Sequence, residues 1–156
     1  MKKNILILPL LLVGVISVHA QKKEEKKLIV ETIEQNDQKL KIFWERSMVD
    51  SLVDLYTSNS YYIPEYGEML DSKENIEKKL KAEFKGGLKV LQYNMVPTDH
   101  KVYDDLVIEV GVRTIKYTTG ENKVPVTEKY NYQIIWKKTS GGKYKIRSEM
   151  WNLTKK

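Results

Sequence analysis

Cysteine is absent from the 156 residues, so neither a disulfide nor a bacterial lipid-anchored signal can be built. Histidine is nearly absent: of the two, His19 falls in the amino-terminal segment and only His100 lies further on. With no cysteine and no second histidine beside it, a metal reading of His100 needs ligands from elsewhere in the chain. Phenylalanine is scarce as well, at two residues against ten tyrosines and three tryptophans. A dry core accepts phenylalanine freely, whereas tyrosine and tryptophan carry polar tips that want partners or water. No internal repeat, linker or low-complexity stretch breaks the chain, and no apolar run reaches the ~20 residues of a membrane span.

The longest apolar run, Ile5 to Val18, follows Lys2 and Lys3 and ends in Val18-His19-Ala20. A positive start, an apolar stretch and a small-residue end are the order of a secretory signal peptide. Residues 1–20 are therefore expected to be cleaved before Gln21, and the protein to be exported, periplasmic or secreted, without membrane attachment afterwards. That leaves 136 residues, the size of one domain with one core. Losing Lys2 and Lys3 lowers the formal charge from +6 to +4. The helical lysines Lys78, Lys79, Lys81 and Lys85 are diluted by Glu74, Glu77 and Glu83, so no basic stripe forms and no nucleic-acid partner is expected.

Residues 22–27 carry charge without apolar period and read as a frayed start. Ile29, Ile33, Leu40, Phe43 and Trp44 then make a helical stripe with Asn36 in its middle. Ser47 with Asp50 predicts the cap of a short second helix through Leu52, Val53, Leu55 and Tyr56. Ser58 to Leu70 reads as a short strand and turn. Asp71 with Glu74 predicts the opening of a third helix that Gly86-Gly87 stops. Beyond Gly87 the period becomes two, predicting strands 88–96, 106–117, 124–137 and 143–153. Helices first and a meander after define an α+β domain.

Within the last hairpin, a three-residue loop Thr139-Ser140-Gly141 pairs Trp136 with Tyr144. Tyr130, Tyr132, Ile134 and Trp136 then share the inner face with Tyr144, Ile146, Ser148, Met150 and Asn152. Trp151 and Leu153 form an apolar end on the outer face. Three further groups read as structural. His100 beside Asp99, Asp104 and Asp105 is placed at a hairpin end. Glu65 and Glu68 sit on a loop that does not fix a carboxylate separation. Glu109 and Arg113 alternate against Ile108, Val110 and Val112 and read as a solvated edge pair.

The order of elements, with Leu55-Tyr56-Thr57-Ser58-Asn59-Ser60, the Pro64/Gly67 turn and the run Ile134 to Asn152, resembles the nuclear-transport-factor-2-like superfamily. The closing run is similar to its SnoaL-like branch of small bacterial domains. The resemblance implies a cone-like curved antiparallel sheet with three amino-terminal helices packed on its concave face, enclosing a pocket. The walls expected for that pocket are Trp44, Tyr62, Tyr132 and Trp136. Asn36, Ser148 and Asn152 are its polar groups, with Met150 beside them. A small, largely apolar ligand is the expected occupant, with no cofactor and no metal. In the ketosteroid isomerase branch of the superfamily, the base and oxyanion-donor positions correspond to Ile63 and about Leu40 here. Neither side chain can do that chemistry, so isomerase activity is not expected. The alternatives are an enzyme of the SnoaL-like type, with hydrolase, isomerase or dehydratase chemistry, or a homodimeric interaction module formed through the outer sheet face near Trp151.

Overall fold

The computed structural model describes residues 8–120 and 123–154, with side chains from residue 21 onward. Among these residues three helices precede and interleave five strands. Helix α1 spans Leu8–Glu45, α2 Val49–Asp54 and α3 Lys73–Lys85. The strands are β1 Tyr56–Ile63, β2 Lys89–Val102, β3 Leu106–Thr118, β4 Val126–Lys138 and β5 Tyr144–Leu153. Of the segment expected to be a signal peptide, residues 1–7 lie outside the described residues. Residues 8–20 are described only as backbone helix running into α1. Residues 22–27 are helical rather than frayed. No described helix is long and apolar enough to cross a membrane.

The stripe on α1 buries Ile33, Leu40 and Trp44 together with Asn36 and Asp37. The Glu45 carboxylate at its end accepts the Tyr93 backbone N–H at 2.9 Å, fastening the helix to β2. Ser47 does not cap α2; it takes a left-handed turn, and Met48 precedes the helix without a side-chain cap. Ser72, one residue beyond the expected Asp71, caps α3 by accepting from the Asn75 backbone N–H. Gly86 and Gly87 end α3 with bonds back to the carbonyls of Ala82 and Phe84.

The sheet runs β1-β5-β4-β3-β2, curved and unclosed. It is mixed rather than antiparallel throughout, because β1 joins β5 in parallel. Three extra residues shape it: Leu91 and Thr98 on β2 and Arg147 on β5 have no partner opposite. Each such bulge bends its strand and increases local twist, which is how a flat sheet curls into a cone. The β4–β5 loop is odd, as expected, but one residue later. Ser140-Gly141-Gly142 turns between Thr139 and Lys143, with Gly142 in the left-handed conformation.

The bulge at Arg147 overturns the register expected beyond the turn. Near the loop Lys138 pairs with Tyr144 and Trp136 with Ile146, so Tyr144 and Ile146 face inward as read from the sequence. Past Arg147 the parity reverses: Glu149 opposes Ile134 and Trp151 opposes Tyr132. Glu149 and Trp151 turn in, while Ser148, Met150 and Asn152 stand on the outer side, the last two exposed.

Candidate functional site

Two charged groups expected at a solvated edge are in the middle of the fold. Strand β3 lies between β4 and β2, and its inward parity is Val107, Glu109, Gly111, Arg113. Glu109 is fully buried and Arg113 is 2% exposed. Ile108, Val110 and Val112 take the outer face, so the strand's polarity is inverted relative to the expected reading. Gly111 sits between the two charges for a steric reason. A Cβ there would lie 2.5 Å from the Val96 carbonyl oxygen and 2.8 Å from the Tyr132 hydroxyl.

Glu109 organises one polar cluster. Its carboxylate accepts from the Tyr132 hydroxyl at 2.5 Å and from Trp136 Nε1 at 2.9 Å. His100 Nε2 stands 3.7 Å away. His100 lies near the end of the β2–β3 hairpin, as expected, but faces inward: β2 continues to Val102, and the extra residue Thr98 brings His100 opposite Glu109. Asp37 of α1 completes the group, and the ligating atoms of Asp37, His100 and Glu109 all lie within 4.8 Å of one another. Both Asp37 oxygens and His100 Nε2 are buried without a hydrogen-bond partner. Burial, then the carboxylates of Glu109 and Glu34, push the Asp37 carboxyl up to about 9. Facing Glu109 holds His100 above its ordinary value, against the effect of burial. Tyr132 is raised by burial and then by Glu109, so its hydroxyl keeps its proton and donates.

Arg113 organises the second cluster. Its Nη1 donates to Glu149 at 2.6 Å and to the Tyr93 hydroxyl at 3.0 Å. Tyr56 donates to the other Glu149 oxygen. Burial opposes the Arg113 charge, but Tyr93 and Glu149 outweigh it and raise its pKa. Around the guanidinium stand aromatic faces: Trp151 at 4.6 Å, Tyr93 at 5.6 Å and Tyr130 at 5.7 Å. Trp44 stacks on Tyr93, and Trp151 meets Tyr62 edge-on.

Beside Arg113 a cavity of about 150 Å³ opens between Trp44, Tyr62, Val90, Ile115, Tyr130 and Trp151. Of the pocket residues expected from sequence, Trp44 and Tyr62 are in this wall. Tyr132 and Trp136 are inside the cone but spend their polar tips on Glu109. Asn36 is buried at a different place. Its amide donates to the Tyr144 carbonyl at 3.4 Å and accepts from Lys39 at 2.9 Å, facing a groove between α1, α2 and the β4–β5 turn. Ser148, Met150 and Asn152 are not brought to the cavity, for the register reason given above. Glu65 is half-buried and Glu68 exposed on the loop after β1, remote in character from either buried cluster.

Asp37, Glu109, Arg113, Glu149 and Trp151 were therefore missed. Asp37 had a readable signal, since it lies four residues after Ile33 and three before Leu40, on the same helical stripe. Gly111 in a strand interior was the signal on β3, because it marks a close approach on the face it shares with Glu109 and Arg113.

No protein-family model and no curated protein sequence matches the chain. Solved structures do resemble it in fold. A ketosteroid isomerase-like protein from Erwinia carotovora atroseptica superposes with a TM-score of 0.71 at 10% identity, over 81% of this chain and 96% of that one. An NTF2-like protein of unknown function from Shewanella oneidensis gives 0.65 at 13% identity, over 78% and 97%. One with a cystatin-like fold from Novosphingobium aromaticivorans gives 0.63 at 11% identity, over 88% and 87%. The chain has the nuclear-transport-factor-2-like fold. At these identities the likeness carries the fold and not an activity.

Proposed function

We propose that the domain binds a small, largely apolar molecule of about one ring, carrying a hydrogen-bond acceptor, in the cavity beside Arg113. The observation that carries this reading is a mismatch of donors. Trp44 Nε1 and Arg113 Nε, both on residues lining the cavity, are buried without an acceptor. Each such donor costs on the order of 1–3 kcal/mol, a cost that a ligand acceptor would relieve. A cavity of about 150 Å³ accommodates a benzene-sized molecule. The Arg113 charge is already balanced by Glu149, so a neutral acceptor suits the site better than an anion. In an exported protein such a domain would hold its ligand outside the cytoplasm. Native mass spectrometry of the purified protein is the test: a ring-sized adduct lost on mild activation supports binding, and a bare chain under the gentlest conditions speaks against it.

A homodimer is a second reading, moved from the site first expected. Trp151 is turned inward against Tyr62, so it cannot anchor an outer contact. The outer face instead carries Ile108, Val110 and Val112 of β3, with Ile135 and the exposed Met150 in the neighbouring strands. Light scattering should give twice the chain mass, and Val110→Lys should return it to a monomer. A monomeric wild-type protein at high concentration would refute this reading.

A further inference from the structure

We propose that Asp37, His100 and Glu109 form a site for a divalent first-row transition cation such as zinc, separate from the cavity beside Arg113. The three donors come from α1, β2 and β3, which the fold holds independently of any ion. Their spacing decides between an ion and direct hydrogen bonds. Glu109 Oε2 and His100 Nε2 are 3.7 Å apart, and neither Asp37 oxygen reaches a partner at all. Hydrogen bonds between such groups close at roughly 3.2 Å or less. Ligands bound to one ion at about 2.0–2.2 Å stand roughly 3–4 Å from each other; the 3.7 Å between Glu109 and His100 falls in that range, and Asp37 lies within 4.8 Å of both.

The unsatisfied atoms point the same way. Asp37 is 4% exposed, and neither it nor Glu109 has a lysine or arginine within 4 Å among the described residues. Two acidic side chains thus share a buried site with one imidazole, and no lysine or arginine offsets the charge they carry when ionised. A divalent cation balances that charge and gives Asp37 and His100 the partner they lack. Glu109 is already oriented for the role. Tyr132 and Trp136 each bond one of its oxygens, and a carboxylate has about four lone-pair positions, so both oxygens retain one for an ion. An imidazole donor favours zinc and its neighbours over calcium or magnesium, which take oxygen ligands.

A route for the ion exists. His100 is 10% exposed in its side chain and lines an open cleft of about 590 Å³ between α1 and the end of β2. Glu31 and Glu34 line that cleft beside Lys26, Lys27 and Lys101, so its mouth is of mixed charge. Three protein donors leave a fourth position open to water on the cleft side.

The test is calorimetric titration of the untagged, chelator-stripped protein with zinc chloride, alongside Asp37→Asn, His100→Gln and Tyr132→Phe. One zinc per chain is expected. His100→Gln and Asp37→Asn should lose it, and Tyr132→Phe, which removes only an outer partner, should weaken it by roughly 10–100-fold. Cobalt substitution gives an independent readout, because its visible bands should change when His100 is replaced and persist in Tyr132→Phe. If Asp37→Asn does not fold, His100→Gln alone carries the comparison. Absence of stoichiometric zinc in the wild-type protein, or equal binding by His100→Gln, would overturn the site. So would a wild-type protein that takes no zinc while Asp37→Asn melts higher, since a proton would then be the group's partner.

Discussion

At the scale of single residues, the chain's preference for tyrosine and tryptophan over phenylalanine has a physical reason in the buried carboxylates. Tyr132 and Trp136 each donate to Glu109, and Tyr56 donates to Glu149. A phenylalanine in any of these places would leave a buried carboxylate short of a donor. Gly111 makes the Tyr132 contact possible by keeping its face of β3 free of a side chain. Gly111→Ala should therefore destabilise the protein by about 1–3 kcal/mol, the usual cost of overpacking, as read from urea unfolding. An unchanged midpoint would mean that β2 yields freely at Val96. Asn36 calls for a gentler change. Because its amide ties α1 to the Tyr144 carbonyl, Asn36→Leu should lower stability by about 0.5–1.5 kcal/mol and leave binding in the Arg113 cavity unaffected. A rise in melting temperature would show that the amide serves something other than the helix–sheet contact.

At the scale of elements, periodicity carried the sequence reading far but not through the bulges. Helix and strand identities, the odd β4–β5 loop and the inward set of β4 were all legible, because each rests on a local period or turn residue. The parallel pairing of β1 with β5 was not, since nothing local to either strand encodes its distant neighbour. The extra residue Arg147 was hidden too, although the chain carried its trace. Alternation along β5 turns from Tyr144 and Ile146 to Trp151 and Leu153, an even-to-odd change that an uninterrupted strand would not show. Reading that change as a bulge would have placed Glu149 and Trp151 inside and Met150 and Asn152 outside. The same bulge makes a prediction. Deleting Arg147 would leave Tyr144, Ile146, Glu149 and Trp151 alternating on one inner face but would remove the bend that the bulge supplies. The deletion should keep cooperative unfolding but lower the melting temperature more than Arg147→Ala, which keeps the bulge. A deletion that melts no lower than Arg147→Ala would show that the bend at this bulge is not needed to close the cone.

At the scale of the whole molecule, the cone is filled by two polar networks rather than by a uniformly apolar core. One joins Arg113, Glu149, Tyr56 and Tyr93; the other joins Glu109, Tyr132, Trp136, His100 and Asp37. In the first, removing one partner strands a buried charge. Arg113→Met or Glu149→Leu alone should cost about 3–5 kcal/mol, and the double variant clearly less than their sum. Additive losses in denaturant unfolding would mean that the pair is not coupled as its geometry requires. The aromatic cavity sits against this network, so its walls are held by groups that cannot move without exposing charge. That rigidity is what a preformed ligand site needs. The most direct measurement is calorimetric titration of the purified protein with acetophenone, a single neutral ring bearing one acceptor, beside the Ile115→Phe variant, which fills the cavity from its wall. Saturable one-to-one binding by the wild-type protein, lost in a variant that melts no lower, is the expected result; no heat of binding at millimolar acetophenone, or equal binding by both proteins, would contradict ligand binding in the Arg113 cavity.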